Sequence, residues 1–265
     1  MSDTTVSTTE EVGEAEITAE ITALFNAGAQ FAYRKSRRHP KMRNFIAGVK
    51  SNVEVFHLDK VQEELEVAME ALEKLGAAGK LVLWVGTKPA AIEYIKKAAD
   101  ELNHPYITRR WLGGTLSNFE QIRSRVKRLE SLESQKESGE LEKYTKQERL
   151  RLDKEMEKLD VSVGSLRLLT RKPDAVVFID TQEEAIALAE TKTQKIITYG
   201  LLNSDCNPTG INYVVPGNDN SPKSIAYFVA QFKEAYLTGK KNAPKEEEAV
   251  KPEGEKAATA KKVEK

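Results

Sequence analysis

Two kinds of hydrophobic pattern divide the chain. From residue 81 onward, short apolar runs alternate with amphipathic segments: "LVLWV" at 81 to 85 predicts a strand, "GTKP" breaks it, and 89 to 102 has helical spacing. The alternation resumes after residue 173, where "AVVFID" predicts a buried strand and 182 to 192 a helix. Such alternating units predict an α/β domain with a mostly parallel sheet covered on both faces.

Further elements extend this domain in both directions along the chain. Helices are predicted over 17 to 27, 60 to 75 and 221 to 238, and strands over 53 to 58, 106 to 108, 195 to 199 and 212 to 215. Pro89 stands where a helix is predicted to begin, the position at which a missing N–H costs least.

A different rhythm separates the two halves of the α/β pattern. Apolar residues fall at steps of three and four from Leu116 to Leu132 and again from Leu152 to Leu166, and charged residues fill the other faces. Between them "KESGELEKY" breaks the pattern, and "TKQE" at 145 to 148 matches a capping box that restarts a helix. These features predict an inserted antiparallel coiled-coil hairpin, on the order of 30 Å long at about 1.5 Å per residue. The alternative, a hairpin lying flat on the body, needs a wider apolar face than this seam offers.

Five segments follow from these patterns. They are an acidic N-terminal tail (1 to 16), a first part of the α/β domain (17 to 115), the inserted hairpin (116 to 168), a second part of the α/β domain (169 to 239) and a charged C-terminal tail (240 to 265). The C-terminal tail consists mainly of Lys, Glu, Ala and Pro without aromatic residues. We expect both tails to be disordered, because they cannot bury enough apolar surface to order themselves.

Composition limits the class of protein. The chain has 265 residues, of which 40% are hydrophobic, enough for a substantial core. The sequence contains neither a run of roughly 18 apolar residues nor a signal peptide, so we expect a cytoplasmic protein without a membrane partner. A single cysteine, Cys206, excludes an intrachain disulfide.

The net charge of zero, from 41 basic and 41 acidic residues, at first argues against a nucleic-acid partner. The charges are segregated, however: residues 1 to 20 carry six acids and no Lys or Arg, whereas "RKSRRHPKMR" at 34 to 43 carries six basic residues and no acid. A solvated surface loop is the alternative explanation of one such run. A second cluster, with six basic residues and one acid over 109 to 128, favours a nucleic-acid interface.

The second cluster also holds residues suited to RNA. Trp111 and Phe119 offer flat faces, and Asn118 has an amide that both donates and accepts hydrogen bonds. Adjacent glycines at 113 and 114 lack a Cβ, so the backbone there can approach a ribose-phosphate strand and offer its N–H groups. Alternatively, Trp111 belongs to the core and the glycines to a turn. Both hold together if Trp111 and Leu112 point inward and the arginines outward.

Candidate catalytic and metal sites are weak by comparison. "VGTKPAA" has one glycine and lacks the spacing of either phosphate-binding fingerprint, although Lys88 could meet a phosphate from outside. The three histidines lie in separate elements. Asp180, Asp205 and Asp219 leave open a weak Mg²⁺ site at one edge of the sheet, but helix capping and turn formation are simpler roles for them. Cys206 has no base near it in sequence.

The stretch "RRWLGGTLSNF" (109 to 119) is similar to the Arg-Trp-Leu-Gly-Gly-x-Leu-Thr-Asn signature of the bacterial small-subunit ribosomal protein S2 family. Other blocks resemble that family in the same order: "GAQFAYRKSRRHPKM" (28 to 42), "HLDK" (57 to 60), "WVGTK" (84 to 88), "PDAVVFID" (173 to 180) and "VVPGND" (214 to 219). Together they cover roughly residues 20 to 238, and jointly they are highly specific.

The resemblance implies a flavodoxin-like three-layer α/β fold with an inserted coiled-coil hairpin. It also implies a structural constituent of the small ribosomal subunit on 16S rRNA, near the junction of head and body, that helps to dock ribosomal protein S1. Charge and position then predict the following RNA-binding residues: Arg34, Lys35, Arg37, Arg38, Lys41, Arg43, Lys88, Arg109, Arg110, Gly113, Gly114, Asn118 and Arg123. We expect neither a catalytic residue, nor a cofactor, nor a small-molecule substrate.

Departures from the family pattern concern its potential metal ligands. Gln30-Phe31-Ala32-Tyr33 stands where the family has His-Phe-Gly-His, and the loop 203 to 208 loses two acids and gains one. We therefore predict no metal site.

Two other classes of protein remain as alternatives. A nucleotide- or Mg²⁺-binding α/β enzyme would use Lys88, Asp180 and Asp205, but it lacks a nucleophile with its base and a complete phosphate loop. A coiled-coil scaffold that binds only proteins would use 116 to 166, but it leaves the basic run at 34 to 43 unexplained.

Overall fold

Strands and helices alternate along residues 19–243, the part of the chain that this computed structural model describes. The strands are β1 (Ile46–Lys50), β2 (Val53–Phe56), β3 (Val82–Val85), β4 (Tyr106–Ile107), β5 (Ala175–Ile179), β6 (Ile197–Leu202) and β7 (Tyr213–Pro216). The helices are α1 (residues 19–27), α2 (Leu58–Ala77), α3 (Pro89–Leu102), α4 (Phe119–Glu137), α5 (Lys146–Val163), α6 (Ala185–Thr193) and α7 (Pro222–Asn242). The predicted tail at 1 to 16 lies outside the described residues. The predicted C-terminal tail begins too early, because α7 continues through Asn242.

A parallel five-stranded sheet in the order β4-β3-β5-β6-β7 lies at the centre. Counted from β3, this is the order 2-1-3-4-5 found in flavodoxin-like sheets. The central strand β5 is buried at all five of its residues, as expected for a strand covered on both faces. The predicted α/β class with a parallel sheet is therefore confirmed.

Helices cover the two faces of this sheet. α7 contacts α3 and α2, and α2 also contacts β7. The two helices α2 and α7 approach closely at Gly76 and Gly239, where an added Cβ would collide with the backbone of the other helix. Right-handed crossovers that run in opposite directions along a sheet place their helices on opposite faces. The connection from β3 to β4, which contains α3, and the connection from β5 to β6, which contains α6, run in opposite directions across the sheet. α6 therefore lies on the face away from α3.

An antiparallel hairpin of β1 and β2 precedes the main sheet. Only β2 is predicted by the sequence pattern. The turn between the strands consists of Ser51 (φ 51°) and Asn52 (φ 66°), and two successive positive φ values match the twist that a tight hairpin needs. The basic segment 34–43 lies just before this hairpin and forms two short 3-10 turns, Lys35–Arg37 and Pro40–Phe45.

The inserted segment forms two helices, α4 and α5, that pack against each other. Their direction is antiparallel, because Arg128 pairs with Glu155 at 3.0 Å while Lys136, further along α4, pairs with Asp153 at 2.8 Å. Most of the predicted seam on α4 is buried, including Val126, Leu129 and Leu132. The predicted capping box is present at the start of α5, where Thr145 and Glu148 bond each other's backbone N–H.

A candidate nucleic-acid interface

The first basic cluster, residues 34 to 43, is held on the main sheet by hydrogen bonds to the loop after β6. His39 donates its backbone N–H to the Ser204 carbonyl at 2.7 Å, and Tyr33 donates its own to the Ser204 hydroxyl at 3.1 Å. The Lys41 ammonium donates to the Thr209 hydroxyl at 2.6 Å. The loop follows the carboxyl end of a parallel strand, the edge at which open α/β sheets bind their ligands. The cluster therefore lies over that edge.

The cations of this cluster divide into free and engaged side chains. Arg34, Lys35 and Arg43 are exposed and have neither an ion pair nor a side-chain hydrogen bond within residues 19–243. Arg37 lies 4.5 Å above the centre of the Tyr33 ring, a cation–π contact that leaves its edge accessible. Arg38 differs, since it pairs at 2.8 Å with Glu54, whose side chain is fully buried. Arg38 therefore neutralises a buried acid.

The second basic cluster begins in the loop between β4 and α4 and continues onto α4. Arg109 and Arg110 are exposed and form no ion pair or side-chain hydrogen bond in the described part of the chain. The next residue, Trp111, is only 6% exposed, and Leu112 is partly buried. The loop thus has the predicted orientation, with the apolar residues inward and both arginines toward solvent.

Glu190 on α6 holds this loop in place. Its carboxylate accepts hydrogen bonds from the Trp111 indole (3.2 Å) and from the backbone N–H groups of Gly114 (2.7 Å), Leu116 (3.0 Å) and Ser117 (3.2 Å). Burial alone would raise the pKa of Glu190, but these donors outweigh it and lower the pKa below its ordinary value. Sequence reasoning did not identify Glu190, because on α6 it resembles any surface acid.

The two glycines of the loop have different roles. Gly114 has φ +93°, a conformation that favours glycine, and its N–H points inward to Glu190. The expectation that this N–H faces RNA is therefore wrong. Gly113 is exposed, with open space where a Cβ would stand, so the backbone there is accessible to a close partner. Asn118 is exposed at the start of α4, and its side chain makes no capping bond.

Lys88 differs from the exposed cations. Its ammonium lies 2.7 Å from the Asp180 carboxylate and 2.7 Å from that of Asp219, and its side chain is 14% exposed. Burial alone would lower the pKa of Lys88, but the two carboxylates outweigh it and raise the pKa. Both carboxylates already pair with the Lys88 ammonium, so Lys88 is not among the RNA contacts that we propose.

Asp180 and Asp219 lie together at this edge, as predicted, but the third member of the cluster is Cys206 and not Asp205. Donor atoms of Asp180, Cys206 and Asp219 lie within 4.8 Å of one another. The Lys88 ammonium binds both carboxylates, and the Cys206 thiol donates to Asp180 at 3.2 Å. Burial first, and then the nearby acids, raise the pKa of this thiol, which favours its protonated form. Lys88 thus supplies the positive charge of this cluster.

Asp180 also explains where α6 begins. It accepts a hydrogen bond from the Gln182 N–H at 2.8 Å, which is a turn contact and not the predicted helix cap, because the residue before α6 is Glu184. Its φ of +65° turns the chain sharply. Residues 181–184 consequently form turns, and α6 begins at Ala185 and not at the predicted residue 182.

Two further contacts concern the predicted sites. Arg123 on α4 donates to the Arg167 carbonyl at 3.2 Å, so it faces the end of the inserted helices and not open solvent. In the turn after β3, the Thr87 N–H donates to the buried Glu184 carboxylate at 3.2 Å. An internal carboxylate thus takes the N–H that a phosphate would need in a nucleotide-binding turn.

The described residues contain no helix with the length and apolar character needed to cross a membrane.

Comparison with known proteins identifies the family. The family model for ribosomal protein S2 matches residues 24–239. Similar proteins include the small ribosomal subunit protein uS2 of Helicobacter hepaticus, 36% identical over 82% of each chain. Those of Wolinella succinogenes (35% identical, 91% of this chain and 89% of the relative) and Acinetobacter baylyi (35%, 89% and 95%) are also similar. The chain belongs to the ribosomal protein S2 family.

Proposed function

We propose that this chain is a structural constituent of the small ribosomal subunit that binds 16S rRNA near the junction of head and body. As a member of the ribosomal protein S2 family it is a structural protein and not an enzyme. Relatives with about 35% identity are named small ribosomal subunit proteins. The RNA and the place on it are inferences from the family resemblance and from the exposed charges.

One observation carries the proposal: five exposed cations of the two clusters have no carboxylate partner among residues 19–243. Arg34, Lys35 and Arg43 belong to the first cluster, and Arg109 and Arg110 to the second. An unpaired surface cation releases counterions from RNA when it meets a phosphate, and that release supplies affinity. The backbone beneath both clusters is fixed by hydrogen bonds to Ser204 and to Glu190. Charge on a fixed backbone is suited to an RNA of defined shape.

The paired helices α4 and α5 form, in this proposal, a coiled-coil arm that extends the RNA contact. Arg125 and Lys127 on α4 are exposed. Lys127 lies on the side away from the buried seam, and Arg125, one turn before Leu129, lies beside that seam. Ion pairs between the helices engage Arg128 and Lys136. In this proposal, α4 therefore offers both of these cations to phosphates near the base of the arm.

Docking of ribosomal protein S1 is the finer part of the proposal and rests on the family resemblance. Phe25 at the end of α1 is 60% exposed, and Phe31 shortly after it is 47% exposed. Large apolar side chains on the surface are suited to a protein partner. We assign the S1 contact to this side of the molecule.

Sucrose-gradient sedimentation of a cell lysate, with detection of this chain, tests the assignment to the small subunit. The chain should migrate with the small-subunit peak, and treatment with RNase should release it from that position. Migration only at the top of the gradient, with small subunits intact in the same tube, would contradict the proposal. Migration that RNase leaves unchanged would favour a scaffold that binds proteins alone.

A further inference from the structure

A large open cavity lies where the second basic cluster meets the paired helices. Its volume is about 840 Å³, and ligand sites in proteins have roughly 300–1,000 Å³. The walls come from α3, from β4 with the loop that follows it, and from the C-terminal end of α5. The lining residues that matter here are Ile92, Lys96, Tyr106, Arg109, Arg110 and Val161.

Part of this cavity is strongly positive. Lys96, Arg109 and Arg110 are exposed, and none of the three forms an ion pair or a side-chain hydrogen bond within residues 19–243. The one acid among the lining residues, Asp160, pairs with Arg167 of the same cavity at 2.9 Å. Arg167 also pairs with Glu133 at 2.7 Å, so its charge is already engaged by two carboxylates. Three cations therefore remain for a negatively charged ligand.

Another part of the cavity is apolar. Ile92 is 37% exposed and Val161 is 51% exposed, although branched aliphatic side chains are usually buried. The partly buried Tyr106 adds an aromatic ring to the same lining. Aliphatic and aromatic surface beside unpaired cations matches the two parts of a nucleotide, since bases stack on such surfaces and phosphates bind Arg and Lys.

We propose that this cavity binds an unpaired nucleotide of RNA, with its base against Tyr106, Ile92 and Val161 and its phosphates against Lys96, Arg109 and Arg110. A regular RNA duplex keeps its bases stacked inside and offers phosphates only, so it would leave the apolar surface exposed. An acidic peptide is the other candidate occupant, and a crosslink to protein in the test below would indicate it. The inference rests on the proposed RNA binding and adds the kind of RNA structure that the second cluster recognises.

Site-specific photocrosslinking tests the inference on the assembled subunit. The full-length chain is expressed with the substitution Val161→p-benzoylphenylalanine and, in a second variant, Ile92→p-benzoylphenylalanine. The control is Val67→p-benzoylphenylalanine, because Val67 is 53% exposed on α2, which packs against β7 at the opposite edge of the sheet. Small subunits are purified, irradiated, and their crosslinked nucleotides are mapped by primer extension.

The expected result is a crosslink from positions 161 and 92 to the same one or two nucleotides, which are unpaired in the subunit. The control should give less than a tenth of that yield. Crosslinks to base-paired nucleotides, to another protein, or to nothing would overturn the inference. Sedimentation before irradiation tests the proposed function separately, because it shows whether each variant is present in small subunits. If every variant, the control included, is missing from them, the assignment to the subunit fails as well.

A pair of smaller substitutions keeps the test decisive if the bulky photoreactive groups prevent incorporation. Ile92→Ala with Val161→Ala retains all three cations and removes apolar surface. The double variant should be retained on salt-washed subunits about tenfold less than the Val67→Ala control, given what loss of a base-stacking contact costs. Equal retention of the two variants would contradict a base-binding cavity.

Discussion

Lys88 and the pair Arg109-Arg110 carry the same kind of charge in opposite surroundings. Lys88 is largely buried between the carboxylates of Asp180 and Asp219, each 2.7 Å from its ammonium. The two arginines are exposed and have no internal partner in the part of the chain described. A buried charge is tolerated only when it is paired, so the first kind of cation supports the fold. The second kind contributes little to stability and is available for phosphate.

The largest effect is expected from breaking the buried cluster. Lys88→Met leaves two carboxylates buried without a counter-charge, which typically costs about 3–5 kcal/mol. Urea unfolding should show this loss in the free energy of unfolding. Adding Asp219→Asn to Lys88→Met removes one of the uncompensated charges and should restore part of the loss. A Lys88→Met protein as stable as the wild type would show that the cluster is not held by this ammonium.

His104 tests the same cost of burial through pH. It is 5% exposed beside Trp84 and Tyr236, and burial lowers its pKa from 6.5 to about 4. As pH falls below 6.5, His104 becomes protonated in the unfolded chain but stays neutral in the folded chain until the pH approaches 4. Stability should therefore decrease between pH 6.5 and 4, by about 3 kcal/mol in total.

Unfolding curves measured at several pH values, compared with those of His104→Asn, isolate this contribution. The amide of that variant can still accept from the Trp84 indole and does not titrate. Its stability should depend less steeply on pH in the same window. If the free energy of unfolding depended on pH equally in the two proteins, His104 would not be the group that lowers stability in acid.

Glu190→Ala sharpens the comparison, because it loosens the loop that carries the exposed arginines without removing them. The carboxylate receives one indole and three backbone N–H groups. Charge-assisted hydrogen bonds contribute about 1.5–3 kcal/mol each, and water replaces some of them at this partly exposed site. We expect a loss of about 2 kcal/mol in thermal or urea unfolding, together with weaker retention on small subunits. Glu183→Ala, an exposed acid near α6, is the matched control.

The smallest effect on stability belongs to Arg109→Ala with Arg110→Ala. Within residues 19–243 these side chains form neither an ion pair nor a hydrogen bond that the substitution would break, so the free energy of unfolding should change by less than about 0.5 kcal/mol. Urea unfolding measures it. A loss of unfolding free energy near that of Lys88→Met would show that the arginines support the fold. The contrast between buried Lys88 and the exposed arginines would then not hold.

Local signals in the sequence predicted many elements well. The helix expected over 89 to 102 is observed as Pro89–Leu102, because Pro89 favours its first turn and Asn103 adopts a left-handed conformation that ends it. The capping box at Thr145 is likewise a signal within four residues. By contrast, β1 was missed, since its residues are mostly exposed and its pairing with β2 depends on the turn at Ser51 and Asn52.

The candidate site was less accessible to sequence reasoning, because its contacts join distant parts of the chain. Glu190 meets Gly114 across 76 positions, and Lys88 meets Asp219 across 131. Nothing near Lys88 in the sequence distinguishes it from an exposed lysine. The family resemblance located the important segments, but only the fold separates side chains that are engaged internally from those left free.

The salt dependence of retention on small subunits tests the central claim most directly. Wild-type and Arg109→Ala, Arg110→Ala chains are compared for the fraction that remains bound as salt is raised. Each lost phosphate contact should reduce the slope of log K against log salt by roughly 0.7–0.9, so the double variant should bind more weakly with a slope shallower by about 1.5. Identical retention and slope, with both chains folded, would contradict the account that these unpaired arginines bind RNA.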